Sequence, residues 1–284
     1  MGEGALDGAA LTETRITRRR FTFVASHVVT SCAAIAACGA PANNPRSSQT
    51  TLTARPTATR TTRAAGTHAL GLGEARDAFL HVPSNAGDDP LPLIVLFHGA
   101  GGSAERFLRR LGPATGALRV AILATDSRGR TWDVLLRGQN SLLDFVIGQP
   151  HSPGFGPDVA FLDRALERVF QEIAVDPTRV AVGGFSDGAT YALSIGLMNG
   201  DLFRHIVAFS PGFLVDGEPR GRPGIFVSHG REDEILPIDR CSRRIVPVLE
   251  KRGYAVNFRE FDGGHDVPDA IAREAFEGVV DGGS

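Results

Sequence analysis

The chain has 284 residues, 42% of them hydrophobic and 22% charged, with a formal net charge of −2. That apolar content excludes wholesale disorder, and the near-neutral balance gives no sign of a nucleic-acid partner. The length has room for one domain of about 200 residues and an appendage.

Residues 1–38 have the order of an export signal. Thr17-Arg18-Arg19-Arg20-Phe21 resembles the twin-arginine pattern, in which paired arginines precede a hydrophobic residue. The apolar run from Phe21 to Ala37 is too short and too polar for a secure membrane span. An accidental basic cluster ahead of a disordered tail is the alternative. Ile35-Ala36-Ala37-Cys38-Gly39 resembles a lipobox, where signal peptidase cuts before a cysteine that carries diacylglycerol. Val29-Thr30-Ser31-Cys32 fits the same pattern with a shorter apolar run, and a plain secretory signal fits both. Cys38 is the favoured lipid site, which would hold an exported chain to a membrane on the periplasmic side or at the cell surface. A lipidated Cys38 leaves Cys241 without an intrachain partner, and Cys241 is expected buried and inert in a helix over Ile238–Arg252. Residues 39–69 are Pro, Ala, Thr, Arg, Ser and Asn with hardly a larger aliphatic residue. They are expected to form a disordered tether to a folded domain over 70–284.

Within that domain, Asp77–Val82 has strand composition and Asn85–Pro92 is rich in turn formers. Leu93–Phe97 is a continuous apolar run, the pattern of a strand buried on both faces. It ends in His98-Gly99-Ala100-Gly101-Gly102-Ser103. Gly99 to Ala104 is also G-x-G-x-x-A after a strand, and Asp126 follows a second apolar run, Val120–Leu123, as in a dinucleotide-binding unit. Strand-like chain upstream, and the His98-Gly99 pair, count against that reading. Thr125–Pro157 is long and aperiodic, as functional loops are. Its Trp132, Leu142, Leu143, Phe145, Val146 and Phe155 are candidates to cap a pocket, with His98 and Trp132 lining it; the alternative for Trp132 is a core anchor. Asp158–Val175 reads as an amphipathic helix stopped by Asp176-Pro177, and a strand starts at Val180.

Arg179–Leu193 is the stretch on which the domain turns. Val180-Ala181-Val182 breaks at Gly183-Gly184, then Phe185, Ser186, Asp187 and Gly188 run directly into a helix-forming segment, Ala189–Leu197. That is strand, sharp hinge and helix, with G-x-S-x-G on the hinge. Such a turn strains the serine and aims its hydroxyl outward, and a Cβ at either flanking glycine would strike a neighbouring element. Two further apolar runs follow, Ile206–Phe209 and Ile225–Val227. The second leads into Ser228-His229-Gly230-Arg231-Glu232-Asp233, where Asp233 is the candidate acid, Glu232 and Glu234 are read as solvated, and His229 as structural. After a helix over Ile238–Arg252 and a last strand, Val256–Phe261, comes Gly263-Gly264-His265-Asp266-Val267-Pro268 and a closing helix, Asp269–Val279. His265 completes the chain order Ser…Asp…His, with each member just beyond a strand end.

On F-H-G-A-G-G, G-F-S-D-G, H-G-R-E-D-E-I-L-P and G-G-H-D-V-P, the region from Asp77 to Val280 resembles the carboxylesterase and phospholipase group of α/β-hydrolases. It is similar to secreted bacterial esterases related to polyhydroxybutyrate depolymerases and feruloyl or acetylxylan esterases. The resemblance implies an α/β fold: a mostly parallel sheet with helices on both faces. It implies ester cleavage by Ser186, His265 and Asp233 through an acyl-enzyme, with an oxyanion hole from the amides of Asp187 and of Ala100 or Gly101. It implies a small or polymeric ester as substrate, and no metal or cofactor. A serine peptidase or acyltransferase on the same scaffold, and a non-catalytic ligand-binding lipoprotein, are the alternatives. The motifs leave acyl chain, alcohol and oligomeric state open.

Overall fold

Seven consecutive apolar residues, Leu91–Phe97, form a strand buried along its whole length. Leu91, Leu93, Val95 and Phe97 enter one core layer and Ile94 and Leu96 the other, the two-residue period of a strand covered on both faces. A computed structural model describes residues 50–57, 62–73, 75–136, 155–215 and 217–282. All belong to one compact unit, Asn44–Ser284.

The strands are β1 (Gly66–Ala69), β2 (Ala78–Val82), β3 (Leu91–Phe97), β4 (Ala121–Thr125), β5 (Val175–Phe185), β6 (His205–Phe209), β7 (Gly224–Gly230) and β8 (Val256–Phe261). They lie in one sheet in the order β1-β2-β4-β3-β5-β6-β7-β8. β1 and β2 pair antiparallel to their neighbours, and every pairing from β4 to β8 is parallel. The helices are α1 (Ala104–Thr115), α2 (Asp133–Leu136), α3 (Pro157–Glu172), α4 (Asp187–Met198), α5 (Ser242–Lys251) and α6 (Asp269–Val280). Apolar stripes of α1 and α6 pack on one face of the sheet, and those of α3, α4 and α5 on the other. The expected class is therefore present. Parallel strands put the loops after β3, β4, β5, β7 and β8 on one rim, where sites of such sheets form.

Several boundaries differ from the sequence reading. α3 ends at Glu172, and β5 begins at Val175, so Asp176-Pro177 lies inside a strand where a helix end was expected. A register shift of β5 against β3 accommodates the proline, which has no amide proton for the ladder. α1 was not anticipated. Its first turn is capped by Ser103 and by Asp126, whose carboxylate accepts the Ala104 amide at 2.7 Å. Asp126 also accepts from the Asp77 amide and is buried, so it is committed to the fold and not offered to a ribose.

The tether is the larger correction. Residues 50–57 and 62–69 lie along the domain. Leu52 is fully buried, its amide donating to Asn199 Oδ1 at 2.8 Å. Thr53 bonds Asp163, Arg55 pairs with Asp201, and Arg63 grips Glu172 with two bonds of 2.6 and 2.8 Å. Gly66–Ala69 is itself a strand on β2. The polar side chains that argued for disorder supply the anchors. The signal, both candidate lipid sites (Cys32 and Cys38) and residues 39–49 lie outside the described residues, as do Leu142, Leu143, Phe145 and Val146. Cys241 is buried at the start of α5, and burial pushes its thiol up to about 12, which makes it inert.

Candidate active site

β5 passes into α4 through Ser186, which has φ 57° and ψ −120°, a left-handed conformation rare for a residue with a side chain. The turn is held by the Ser186 amide donating to Phe209 O at 2.9 Å. The Ala189 and Thr190 amides donate to Ser186 O, each at 3.0 Å. The flanking glycines are sterically obligatory. A Cβ on Gly184 would lie 2.4 Å from Gly188 O, and one on Gly188 would lie 2.2 Å from Phe97 O. β3, β5 and α4 meet there, backbone against backbone.

The loops after β7 and β8 are tied to each other by Arg231 N→Phe261 O and Glu232 N→Gly263 O, both 2.9 Å. This brings Asp233 under His265. Asp233 is 4% exposed. Its Oδ1 accepts the Ile235 and Leu236 amides at 3.0 and 2.8 Å, and its Oδ2 accepts His265 Nδ1–H at 2.6 Å. That fixes the tautomer, so Nε2 is an acceptor, and Ser186 Oγ lies 2.9 Å from it. The ring of His265 rests on Phe185, centroids 4.6 Å apart. Glu232 and Glu234 are exposed. His229 is fully buried, and burial pushes its pKa down, which favours the neutral ring. It accepts from Ser242 Oγ at 2.7 Å and donates to Leu236 O at 2.7 Å, with Asp233 Oδ2 3.2 Å away. It braces the loop that carries the acid.

The glycine loop after β3 touches the serine: a Cβ on Gly99 would come within 3.4 Å of Ser186 Cβ. The Gly101 amide donates to Arg130 O at 2.8 Å and so is not available to a substrate oxygen, which removes it as an oxyanion candidate. Among the described residues no acceptor takes the amides of Ala100 or Asp187. His98 and Trp132, expected to line a pocket, are buried behind the glycine loop. Each is 1% exposed. His98 donates through Nδ1 to Gly99 O at 2.7 Å and accepts at Nε2 from the Ser127 amide and from Arg76 Nη2. Trp132 donates to His98 O at 2.9 Å and stacks on Tyr191, centroids 4.8 Å apart and 16° between planes. Both are the frame of the glycine loop from behind. Arg76, which also donates to Gly102 O, and Thr131, whose hydroxyl donates to Asp187 Oδ2 at 2.6 Å, belong to the same frame. Neither lies in a recognisable motif, so the sequence offered no signal for them. Among the described residues no three His, Cys, Asp or Glu side chains gather as a metal site.

The chain is similar in sequence to known esterases. A sequence model of the Phospholipase/Carboxylesterase family matches residues 160–275, the segment that carries Ser186, Asp233 and His265. A probable feruloyl esterase C of Aspergillus niger is 24% identical over 236 residues, 72% of this chain and 80% of that protein. A putative esterase, NocK, of Nocardia uniformis is 27% identical over 199 residues; the match covers 66% of this chain and only about half, 53%, of that protein. Among solved structures, a carboxylesterase from Mesorhizobium loti superposes with a TM-score of 0.54 at 21% identity, over 75% of this chain and 99% of its own.

Proposed function

We propose that this carboxylic-ester hydrolase of the α/β-hydrolase fold works through Ser186 as nucleophile, His265 as general base and Asp233 as the group that orients it. The observation that carries the reading is the unbroken hydrogen-bond chain from Asp233 through His265 to Ser186. Attack on the ester carbonyl passes the serine proton to His265 Nε2, and the buried Asp233 carboxylate stabilises the imidazolium. The carbonyl oxygen becomes an oxyanion facing the Ala100 and Asp187 amides, where loss of one such donor typically costs about 3–4 kcal/mol. His265 then protonates the departing alcohol, and water, deprotonated by the same imidazole, hydrolyses the acyl-enzyme. The A. niger relative's name makes hydroxycinnamoyl esters a reasonable first arm of a substrate panel.

The test is labelling by a fluorophosphonate probe together with turnover of short-chain, feruloyl and polymeric esters, peptides and acyl acceptors. Wild type should be labelled and should cut esters, and Ser186→Ala should remain folded, unlabelled and inactive. Labelling that survives Ser186→Ala would refute the nucleophile. Preference for a peptide or an acyl acceptor over water would replace the esterase reading with the peptidase or acyltransferase one. We further propose export by the twin-arginine route and lipid attachment at Cys38, on the strength of the N-terminal pattern. Metabolic fatty-acid labelling lost in Cys38→Ser and kept in Cys32→Ser is the expected result; the reverse would move the site to Cys32.

A further inference from the structure

We infer that Thr131 is a positioning residue for the oxyanion hole, acting through the side chain of Asp187. The inference rests on the proposed role of Ser186. The two amides that face the substrate oxygen come from different elements, Ala100 from the loop after β3 and Asp187 from the first turn of α4. Their donor geometry has to be fixed before the reaction for the hole to act. One short loop after β4 holds both. It fixes the glycine loop through Gly101 N→Arg130 O at 2.8 Å, Ser127 N→His98 Nε2 at 3.2 Å and Trp132 Nε1→His98 O at 2.9 Å. It fixes α4 through the Thr131 hydroxyl on Asp187 Oδ2 at 2.6 Å, a short bond of the charge-assisted kind.

The carboxyl that Thr131 holds is a hazard to the site. Asp187 directly follows the nucleophile, and its charge lies beside the place where an oxyanion would form. Unrestrained, the carboxylate could turn to the free amides at the start of α4 and compete with substrate for them. The Thr131 bond keeps it turned to the loop. Burial pushes the Asp187 carboxyl up from its ordinary value, and Thr131, His265 and His98, which face it, pull the other way. Removing the hydroxyl therefore both frees the carboxyl and weakens the link between the two amide-bearing segments.

The test is steady-state kinetics on a short-chain ester with Thr131→Val, Thr131→Ser, Asp187→Ala and the double variant Thr131→Val/Asp187→Ala. Thr131→Val should lower kcat roughly ten-fold or more with KM within about two-fold, since only transition-state stabilisation is lost. Thr131→Ser, which keeps the hydroxyl, should restore most of it. In the Asp187→Ala background, Thr131→Val should have no further effect beyond about two-fold, because the partner through which it acts is gone. If valine does not fold, Thr131→Ala replaces it. Wild-type kcat in Thr131→Val, no rescue by serine, or an undiminished effect without the Asp187 side chain would each overturn the inference while leaving the esterase reading intact. A wild-type chain that turns over no ester would overturn both.

Discussion

Ser186 stores strain where it would react. Its φ of 57° with ψ −120° costs a residue with a side chain about 1–3 kcal/mol, held in place by the Phe209 carbonyl and the first turn of α4. Ser186→Gly should therefore be more stable than Ser186→Ala by about 1 kcal/mol, the conformational relief exceeding glycine's extra freedom in the unfolded chain. Urea unfolding of the two inactive variants is the measurement, and equal midpoints would mean that the turn is unstrained. Gly188→Ala should do the opposite. Its Cβ would fall 2.2 Å from Phe97 O, backbone that cannot yield locally, so a loss of about 1–3 kcal/mol or outright failure to fold is expected. At this scale the candidate triad was legible because each member sits in a short motif beyond a strand end. His98 and Trp132 were not. Next to a loop, an imidazole or an indole reads the same whether it faces substrate or core, and here Trp132 stacks on Tyr191 and His98 is spent on Gly99, Ser127 and Arg76.

Among the elements, α2 and α3 are joined in their first turns by a pair of buried acids. Asp158 Oδ2 accepts the Asp133 amide at 2.6 Å, and Asp133 Oδ2 accepts the amides of Asp158 and Gly156 at 3.0 and 2.8 Å. Burial, and then the neighbouring Asp158 charge, push the Asp133 carboxyl from 3.8 up to about 6. Asp133 Oδ1 and the Tyr191 hydroxyl are buried without a hydrogen-bond partner among the described residues. A raised folded-state pKa means that the folded chain holds this proton more tightly than the unfolded one. The associated stability is complete below the unfolded value and is lost as pH rises through about 6. Buried His98 and His229, pushed below 6.5, run the other way and lose stability as pH falls beneath that value. Asp133→Asn removes only the first of these trends. Relative to wild type it should gain stability between pH 4.5 and pH 7.5, by on the order of 1–2 kcal/mol. Unfolding curves at the two pH values that differ from wild type by the same amount would sink the assignment. The strands were legible in the sequence because burial on both faces leaves nearly pure apolar runs, β3 above all. α1 was overlooked because its last turn carries Gly112-Pro113, a pair that reads as a break, although Phe107, Leu108 and Leu111 lie on one buried stripe.

Across the whole domain, stability and chemistry sit at opposite ends of α4. Ser186 precedes the helix and Asn199 follows it, about 20 Å away at 1.5 Å per residue. Asn199 is buried and spends both ends of its amide on residues 50–57, a strap along the domain: Oδ1 takes Leu52 N, and Nδ2 donates to Thr50 O at 2.8 Å and also to Ile195 O of α4 at 2.9 Å. Composition alone misjudged this segment because one leucine among threonines and arginines looks negligible until a cavity exists to receive it. Taking the strap away would expose that cavity, worth about 1.5–3 kcal/mol for one leucine, and leave a buried amide short of partners at about 1–3 kcal/mol. A chain beginning at Thr50 should therefore melt where one beginning at Gly39 does. A chain beginning at Ala58 should melt roughly 5–25 °C lower, at 2–4 °C per kcal/mol for a domain of this size. Leu52→Ala in the full chain should lose about 2–4 kcal/mol. Well below each melting point, kcat on a short-chain ester should be unchanged in all three, because among the described residues the hydrogen bonds from residues 50–57 to the domain go to α3 and to Asn199 and Asp201 at the far end of α4, away from Ser186. A kcat that falls in step with the melting temperature would mean that strap and rim are coupled through α4, and that the division of labour along this helix does not hold.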